Sequence, residues 1–383
     1  MRASVFSAAL VAALVGYGST IALVLAAAAA VGADAAQTAS WVLAVSLAKG
    51  VGSAALGWYS RVPVVLAWST PGAALIAATT GVSIHQAVAA FVLAGVLIAL
   101  TGAVRPLGRL IASIPDGIAA GMLSGVLLPF VLKLAGTLQA QVALILPVVV
   151  VFGLVRLWNP SVAVLAALAV GVTLGLAGGP LPTIAFALPH PIFIAPEWNA
   201  GVMIGLGLPL YLVTMASQNL PGFATLRAAG YEPPVRAALT ATGGLSALSA
   251  LFGGHTINMA AITAAICLGD DVHPDRSQRW KVSLAYGAFW ICLGLFGPMV
   301  IALIAALPAA LVTAIVALAL IGPLTGALGG AFAHPPQRFA AAVTLTVTAS
   351  GAAFLGIGAA FWGLVAGLVV FALEHGAQRL KSR

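Results

Sequence analysis

A few strongly polar residues lie within segments of the chain that are otherwise apolar. Lys49, Gln218, Asn219 and His255 are the clearest of them. Such groups are costly in a lipid environment, so they mark ligand sites, ion paths or buried hydrogen-bond networks. The chemistry available to them is hydrogen bonding, charge pairing and proton transfer.

His255 and Lys49 are the two of these residues that can exchange a proton. His255 is the histidine that lies inside an apolar segment, whereas the others lie at segment ends or in loops. Because histidine titrates near neutral pH, His255 is a candidate proton carrier, with a hydrogen-bonded structural histidine as the alternative. Lys49 could pair with an anionic ligand, line a water-filled path or bond to carbonyl groups.

Gln218 and Asn219 form a pair of neighbouring amides just before Pro221-Gly222. The Pro-Gly pair predicts an interruption of the helix immediately after the amides. The amides either join neighbouring helices by hydrogen bonds or recognise the polar groups of a ligand.

Two short segments predict helices that begin at membrane depth. In Trp68-Ser-Thr-Pro-Gly72, Ser69 and Thr70 are typical N-cap residues and Pro71 suits the first helical position. The second segment begins Gly253-Gly-His-Thr-Ile-Asn-Met259, and we expect non-helical backbone before about His255. Non-helical backbone at that depth is tolerated where it lines a cavity. The positive N-terminal ends of the two helices would then face that cavity.

The composition excludes a soluble protein. Of 383 residues, 62% are hydrophobic and 6% are charged, against about 25% charged in an average soluble domain. The net charge of +8 fits the excess of Lys and Arg on the cytoplasmic side of membrane proteins, so we expect no nucleic-acid partner. Long unbroken apolar runs predict an all-α polytopic membrane protein.

Fourteen apolar segments predict fourteen transmembrane spans, seven on each side of a polar connector at 180–199. The spans cover residues 5–31, 38–57, 63–79, 84–103, 114–134, 139–157, 160–178, 200–222, 234–251, 254–269, 281–303, 305–328, 337–354 and 358–374. With both termini in the cytoplasm, all but two of the 16 Lys and Arg residues lie on the cytoplasmic side. The exceptions are Lys49 and Lys133.

The two halves of the chain predict an inverted repeat. Pro115 and Pro308 open the fifth and twelfth spans, and Pro129 and Pro323 recur at nearly the same offset. Seven is an odd number, so the copies must cross the membrane in opposite directions, as in secondary transporters.

No enzyme motif is present in the sequence. It has no glycine-rich phosphate loop with a lysine, no paired carboxylates and no cluster of metal ligands. We therefore expect neither an enzyme nor a metal or cofactor. Cys267 and Cys292 both lie in apolar stretches, where buried unpaired thiols are expected.

The chain resembles the benzoate/proton symporters of bacterial inner membranes. The resemblance rests on Ser217-Gln-Asn-Leu-Pro-Gly-Phe223, Leu226-Arg-Ala-Ala-Gly-Tyr-Glu-Pro-Pro234 and Gly253-Gly-His-Thr-Ile-Asn-Met-Ala-Ala-Ile-Thr263. It covers essentially the whole chain. More distantly, the chain is similar to nucleobase and sulfate-type transporters with seven-plus-seven inverted repeats.

The resemblance implies a division into two domains. Residues 1–103 and 199–304 would form a core domain of spans 1–4 and 8–11, and residues 104–198 and 305–383 would form a gate domain. It also implies short β-strands leading into the third and tenth spans. Relatives of the broader fold often dimerise, so the question whether this chain forms a homodimer stays open.

The expected activity is proton-coupled import of benzoate or a related aromatic carboxylate. By similarity, nucleobase transporters carry acidic residues where this chain has Gln218 and His255, and a site without a carboxylate suits an anion. Hydrogen bonds are expected from Ser69, Thr70, Gln218, Asn219, Thr256 and Asn258. Ring contacts are expected from Tyr17, Ile257 and Met259, and proton coupling from His255, with Lys49 as second candidate. A nucleobase or small-anion transporter, or an uncoupled exchanger or channel, is the alternative.

Overall fold

The computed structural model describes residues 2–104, 114–177, 186–355 and 357–381. The first half contains helices α1 (Ala3–Gly18), α2 (Ile21–Ala30), α3 (Ala35–Ser60), α4 (Thr70–Ala77), α5 (Ile84–Ala103), α6 (Asp116–Ala140), α7 (Val142–Trp158) and α8 (Pro160–Ala177). The second half contains α9 (Ala200–Ala228), α10 (Val235–Ala250), α11 (Ile262–Leu268), α12 (Lys281–Leu295), α13 (Gly297–Ala305), α14 (Ala309–Ala333), α15 (Arg338–Ala349) and α16 (Ala359–Lys381). Strands β1 (Leu66–Trp68) and β2 (Ile257–Met259) complete the described elements.

Every predicted span coincides with a helix, or with a strand followed by a helix. Within the described residues, 7 stretches are long and apolar enough to cross a membrane. They are α1 with α2, α3, α5, α6, α9, α14 and most of α16. Helices α12 and α13 meet at a bend of 55° and would make an eighth. The other predicted spans contain shorter helices, so fourteen crossings stay a prediction.

The predicted break before α4 is confirmed. Strand β1 ends at Trp68, and the Ser69 side chain caps the helix by accepting a hydrogen bond from the Gly72 N–H at 3.1 Å. The helix starts at Thr70, so Pro71 occupies its second position. A proline is tolerated there because first-turn N–H groups have no partner within the helix.

The second break differs in position from the prediction. Helix α11 begins at Ile262, well after His255, because β2 occupies the intervening residues. Strands β1 and β2 pair in antiparallel fashion, with Leu66 opposite Met259 and Trp68 opposite Ile257. This pairing satisfies backbone groups that a helix would otherwise satisfy. The strands implied by the family resemblance are therefore confirmed.

Helix α9 is not interrupted at Pro221-Gly222, so that prediction is wrong. The helix runs from Ala200 to Ala228 and contains π-helical turns at Met203–Gly207 and Met215–Asn219. Pro221 has no N–H to donate to the preceding turn. The wider π turn just before the proline accommodates this loss without ending the helix.

The helices pack in two groups. In one group α5 lies along α10, α3 along α12, and α1 against α11 and α12. In the other group α6 packs against α14 and α15, α15 against α16, and α7 against α8. The connector's residues 186–199 cross the first group, where the Ile192 N–H donates to the Ser40 hydroxyl and the Ile194 N–H to the Leu251 carbonyl, both at 2.8 Å.

Glycines set the closest of these contacts. A Cβ atom at Gly243 would lie 2.2 Å from the backbone nitrogen of Ala99, and one at Gly95 would lie 2.5 Å from that of Ala247. The backbones of α5 and α10 are therefore in direct contact, which small residues permit in membrane bundles.

Candidate functional site

A cavity of about 660 Å³ lies between the two helix groups. Helices α1, α3, α4, α9, α11 and α12 and strand β1 border it on one side, and α6, α7, α8 and α14 on the other. Its polar and charged lining residues are Ser19, Thr20, Lys49, Thr70, Asp116, Arg156, Ser217, Gln218, Thr263 and Tyr286. The volume falls within the range of small-molecule sites in proteins.

Three of the predicted site residues border this cavity: Lys49, Thr70 and Gln218. Thr70 lies at the first residue of α4, so the N-terminal end of that helix meets the cavity. The Gln218 Oε1 atom accepts a hydrogen bond from Asn258 Nδ2 at 3.3 Å. The side-chain amide nitrogen of Gln218 is therefore available to donate a hydrogen bond to a ligand.

Ser69 and Thr256 lie behind the cavity wall, in a cluster of buried hydroxyl groups. The Thr214 hydroxyl donates to Ser69 Oγ at 3.0 Å and lies 2.9 Å from Thr256 Oγ1. The cluster joins α9 to the start of α4 and to the segment before β2. Thr214 was not predicted as a site residue, although it lies four residues before Gln218 and so near the same face of the helix.

Asn219 and the three residues of β2 are also buried behind the wall. Asn219 Oδ1 accepts a hydrogen bond from the Met259 N–H at 2.9 Å. Asn258 Nδ2 donates to the Met259 carbonyl at 2.6 Å as well as to Gln218, and Ile257 packs fully buried. The assignment of these residues to substrate stays a prediction.

His255 is fully buried and does not border the cavity. Its Nδ1 atom accepts a hydrogen bond from Trp41 Nε1–H at 2.9 Å. A nitrogen that accepts carries no hydrogen, so the neutral ring has its proton on Nε2. That Nε2 atom has no hydrogen-bond partner among the described residues.

Lys49 borders the cavity, but two indole rings cover it and leave none of its surface exposed. Its Nζ atom lies 3.5 Å from the centroid of the Trp68 ring and 2.9 Å from that of Trp290. The Tyr17 ring lies 5.6 Å from both indole rings. We call these four side chains the aromatic-lysine cluster.

Asp116 and Arg156 bring charge to the side of the cavity that α6 and α7 border. Asp116 directly follows Pro115, which opens the predicted fifth span, and the structure places it in the first turn of α6. Arg156 lies in the last turn of α7, where a cation is favourable. Their approach to a cavity could not be read from sequence because it depends on how α6 and α7 pack against the other group.

The cysteines differ from the expectation in one respect. Cys267 is buried, as expected, whereas Cys292 is exposed on α12. An exposed thiol is compatible with an apolar stretch because that face of the helix is not covered by other helices. Across the described ranges, no group of three His, Cys, Asp or Glu side chains is placed to hold a metal ion.

Solved transporter structures share this fold. The transmembrane domain of the cyanobacterial bicarbonate transporter BicA matches with a TM-score of 0.63 and 15% identity, over 96% of this chain and 98% of that chain. Murine solute carrier 26 family member A9, an anion transporter in its inward-facing state, matches with a TM-score of 0.67 and 15% identity, over 97% and 68% of the two chains. At this identity the likeness shows the fold alone.

Sequence relatives identify the family. The chain is 39% identical over 361 residues to the inner membrane protein YdcO of Escherichia coli (strain K12), covering 94% of this chain and 92% of that protein. It is 34% identical over 336 residues to the benzoate membrane transport protein of Acinetobacter baylyi (strain ATCC 33305 / BD413 / ADP1), covering 87% and 85%. The family description "Benzoate membrane transport protein" matches residues 1–373. The chain is therefore a multi-pass membrane protein and not an enzyme, and it belongs to the BenE family of benzoate membrane transport proteins.

Proposed function

We propose that the protein is a proton-coupled secondary transporter that imports benzoate or a related aromatic carboxylate through the bacterial inner membrane. The observation that carries this proposal is the cavity between the two helix groups. With Lys49 protonated, the charged lining residues are two cations, Lys49 and Arg156, and one anion, Asp116, so a bound monovalent anion balances them. The N-terminal end of α4 adds partial positive charge.

The walls of the cavity suit an aromatic ring beside a carboxylate. Trp68, Phe152, Tyr286 and Trp290 supply aromatic surface, and flat rings pack favourably in offset or edge-to-face arrangements. Tyr17 packs against the two tryptophans but does not itself border the cavity, so a direct contact between Tyr17 and the ring stays a prediction.

Polar contacts to the carboxylate come from residues at the cavity wall. Thr70 and Gln218 offer the direct hydrogen bonds. Ser69, Asn219, Thr256 and Asn258, with Ile257 and Met259, belong to the same site because they hold α4, β1 and β2 in position.

We further propose alternating access between a core and a gate domain. The core comprises residues 1–103 and 199–304, and the gate comprises residues 104–198 and 305–383. Packing supports this division. Helix α3 makes its most extensive contact with α12 and α5 with α10, all within the core, whereas α6 makes its most extensive contacts with α14 and α15, within the gate. Fourteen crossings in two inverted repeats, with both termini in the cytoplasm, complete the architecture.

Proton coupling follows from the charge of the substrate. Benzoate is an anion at neutral pH, and moving one negative charge against 100 mV costs about 2.3 kcal/mol. One accompanying proton removes this cost. Lys49 and His255 are the candidate carriers of that proton.

Uptake into proteoliposomes tests the proposal. The protein is reconstituted, and uptake of radiolabelled benzoate is measured with a pH gradient and a membrane potential imposed separately. Accumulation driven by the pH gradient is the expected result. Flow that only equilibrates benzoate across the membrane would indicate an uncoupled exchanger or channel. If unlabelled uracil or bicarbonate inhibits the uptake of labelled benzoate more strongly than unlabelled benzoate does, the protein has a different substrate.

A further inference from the structure

Three buried hydrogen-bond donors of the aromatic-lysine cluster have no partner among the described residues. They are Lys49 Nζ, Trp290 Nε1 and the Tyr17 hydroxyl. The Trp68 Nε1–H, by contrast, donates to Thr20 Oγ1 at 2.5 Å. Native proteins satisfy almost all buried polar groups. Two of these unsatisfied donors, Lys49 Nζ and Trp290 Nε1, belong to residues that border the cavity, and they indicate a ligand that accepts hydrogen bonds.

Lys49 has no acidic partner in this cluster. The titratable groups that surround it are Tyr17 on α1, Tyr286 on α12 and His255 before β2. The Tyr286 hydroxyl donates to the Leu66 carbonyl at 2.9 Å. Across the cavity, Asp116 on α6 makes no ion pair with Lys49, and Arg156 on α7 is a second cation.

The two indole rings contact the lysine head group, but they supply no negative charge that could neutralise a protonated amine. A cation over an aromatic face gains a modest electrostatic attraction, whereas an unpaired buried charge costs considerably more. A carboxylate in the cavity would provide both the missing acceptor and the missing counter-charge.

Resting on the proposed function, we infer that Lys49 binds the substrate carboxylate and the coupled proton together. The Lys49 amine takes one proton, and the resulting ammonium pairs with one carboxylate, so the pair carries no net charge. Release of the carboxylate to the cytoplasm removes the counter-charge, and the ammonium returns the proton. One proton therefore moves with each benzoate, and no other bond changes.

The geometry favours Lys49 over His255 for this role. His255 does not border the cavity, whereas Lys49 does, and the His255 Nδ1 atom already accepts a hydrogen bond from Trp41. If His255 carried the proton, the positive charge would lie away from the cavity, while the carboxylate would lie inside it. Lys49 brings charge and proton to the same atom at the cavity wall.

Proton uptake on binding provides the decisive measurement. The purified protein is mixed with benzoate in weakly buffered detergent solution at neutral pH, and a pH dye reports the protons taken up. Wild-type protein and His255→Gln should take up about one proton per benzoate bound. Lys49→Arg keeps the positive charge but cannot release its proton, so it should bind benzoate without proton uptake.

Transport assays separate this inference from the proposed function. Lys49→Arg should retain benzoate counterflow while pH-driven accumulation falls at least about tenfold, and Lys49→Gln should lose both. If wild type accumulates benzoate and Lys49→Arg does so equally, the inference fails and the function stands. If wild type does not accumulate it, both fail. Should Lys49→Arg not fold, His255→Gln decides: abolished proton uptake in that variant overturns the inference.

Discussion

The side-chain oxygen of Asn219 accepts a hydrogen bond at 2.9 Å from the backbone N–H of Met259, and both residues are buried. The next side chain along the helix, Gln218, borders the cavity instead. Neighbouring residues of a helix point about 100° apart, so adjacent amides reach different surroundings. Asn219 therefore joins α9 to β2, and recognition of a ligand by Gln218 stays a prediction.

Asn219→Ala should reduce stability. The change leaves the buried Met259 N–H without an acceptor, which costs about 1–3 kcal/mol. Thermal unfolding in detergent, followed by intrinsic fluorescence, measures the loss. If stability is unchanged and benzoate affinity falls instead, Asn219 contacts the ligand and does not primarily hold β2.

Gln218→Ala should reduce benzoate affinity while the fold persists. A hydrogen bond to a charged group contributes about 1.5–3 kcal/mol, equivalent to roughly 10- to 150-fold in affinity. Isothermal titration calorimetry measures the change. Gln141→Ala, at the exposed end of α6 and away from the cavity, is the matched control and should bind as wild type does. Equal affinity in both variants would remove Gln218 from the site.

Gly243→Ala should destabilise the contact between α5 and α10. The added Cβ would lie 2.2 Å from the Ala99 nitrogen, which is too close. Because that nitrogen belongs to the backbone, the clash can be relieved only by moving one helix relative to the other. Overpacking of this kind costs about 1–3 kcal/mol. Gly244→Ala is the control on the same helix, since a Cβ there meets nothing within 4 Å. Similar unfolding temperatures for the two variants would contradict the close packing.

Cysteine labelling should reveal the orientation of the chain. Thr80 and Glu232 are exposed in the loops after α4 and α9. In a Cys292→Ala background, Thr80→Cys should react with a membrane-impermeant maleimide from outside intact cells. Glu232→Cys should react only in inside-out vesicles, because the positive-inside rule places its loop in the cytoplasm. Labelling of both from one side would rule out the predicted topology.

The local features of the fold were predictable from sequence. Ser69 was predicted as a helix cap because a hydroxyl before a proline is a local signal, and the apolar segments were located because hydropathy is also local. The π turn at Met215–Asn219 was not predicted. A proline shows only that one hydrogen bond is lost, and the packing of α9 decides whether the helix ends or widens.

The site was predictable in composition but not in arrangement. Lys49, Thr70 and Gln218 were identified from polarity, and they border the cavity. Arg156 was not identified, because a cation at a helix end has an ordinary explanation in sequence. The partners of His255 and Asn219 lie more than thirty residues away, and pairings at that distance depend on the tertiary fold.

The pairing of β1 with β2 has a consequence for how the protein is made. The strands are separated by about 190 residues, and at roughly 5–20 residues per second a ribosome needs on the order of 10–40 s to bridge that interval. During this time Leu66–Trp68 has no strand partner, and the wall between α4 and α11 is absent. A nascent chain stopped before Ile257 therefore lacks the paired strands, so the cavity between the helix groups is completed only late in synthesis.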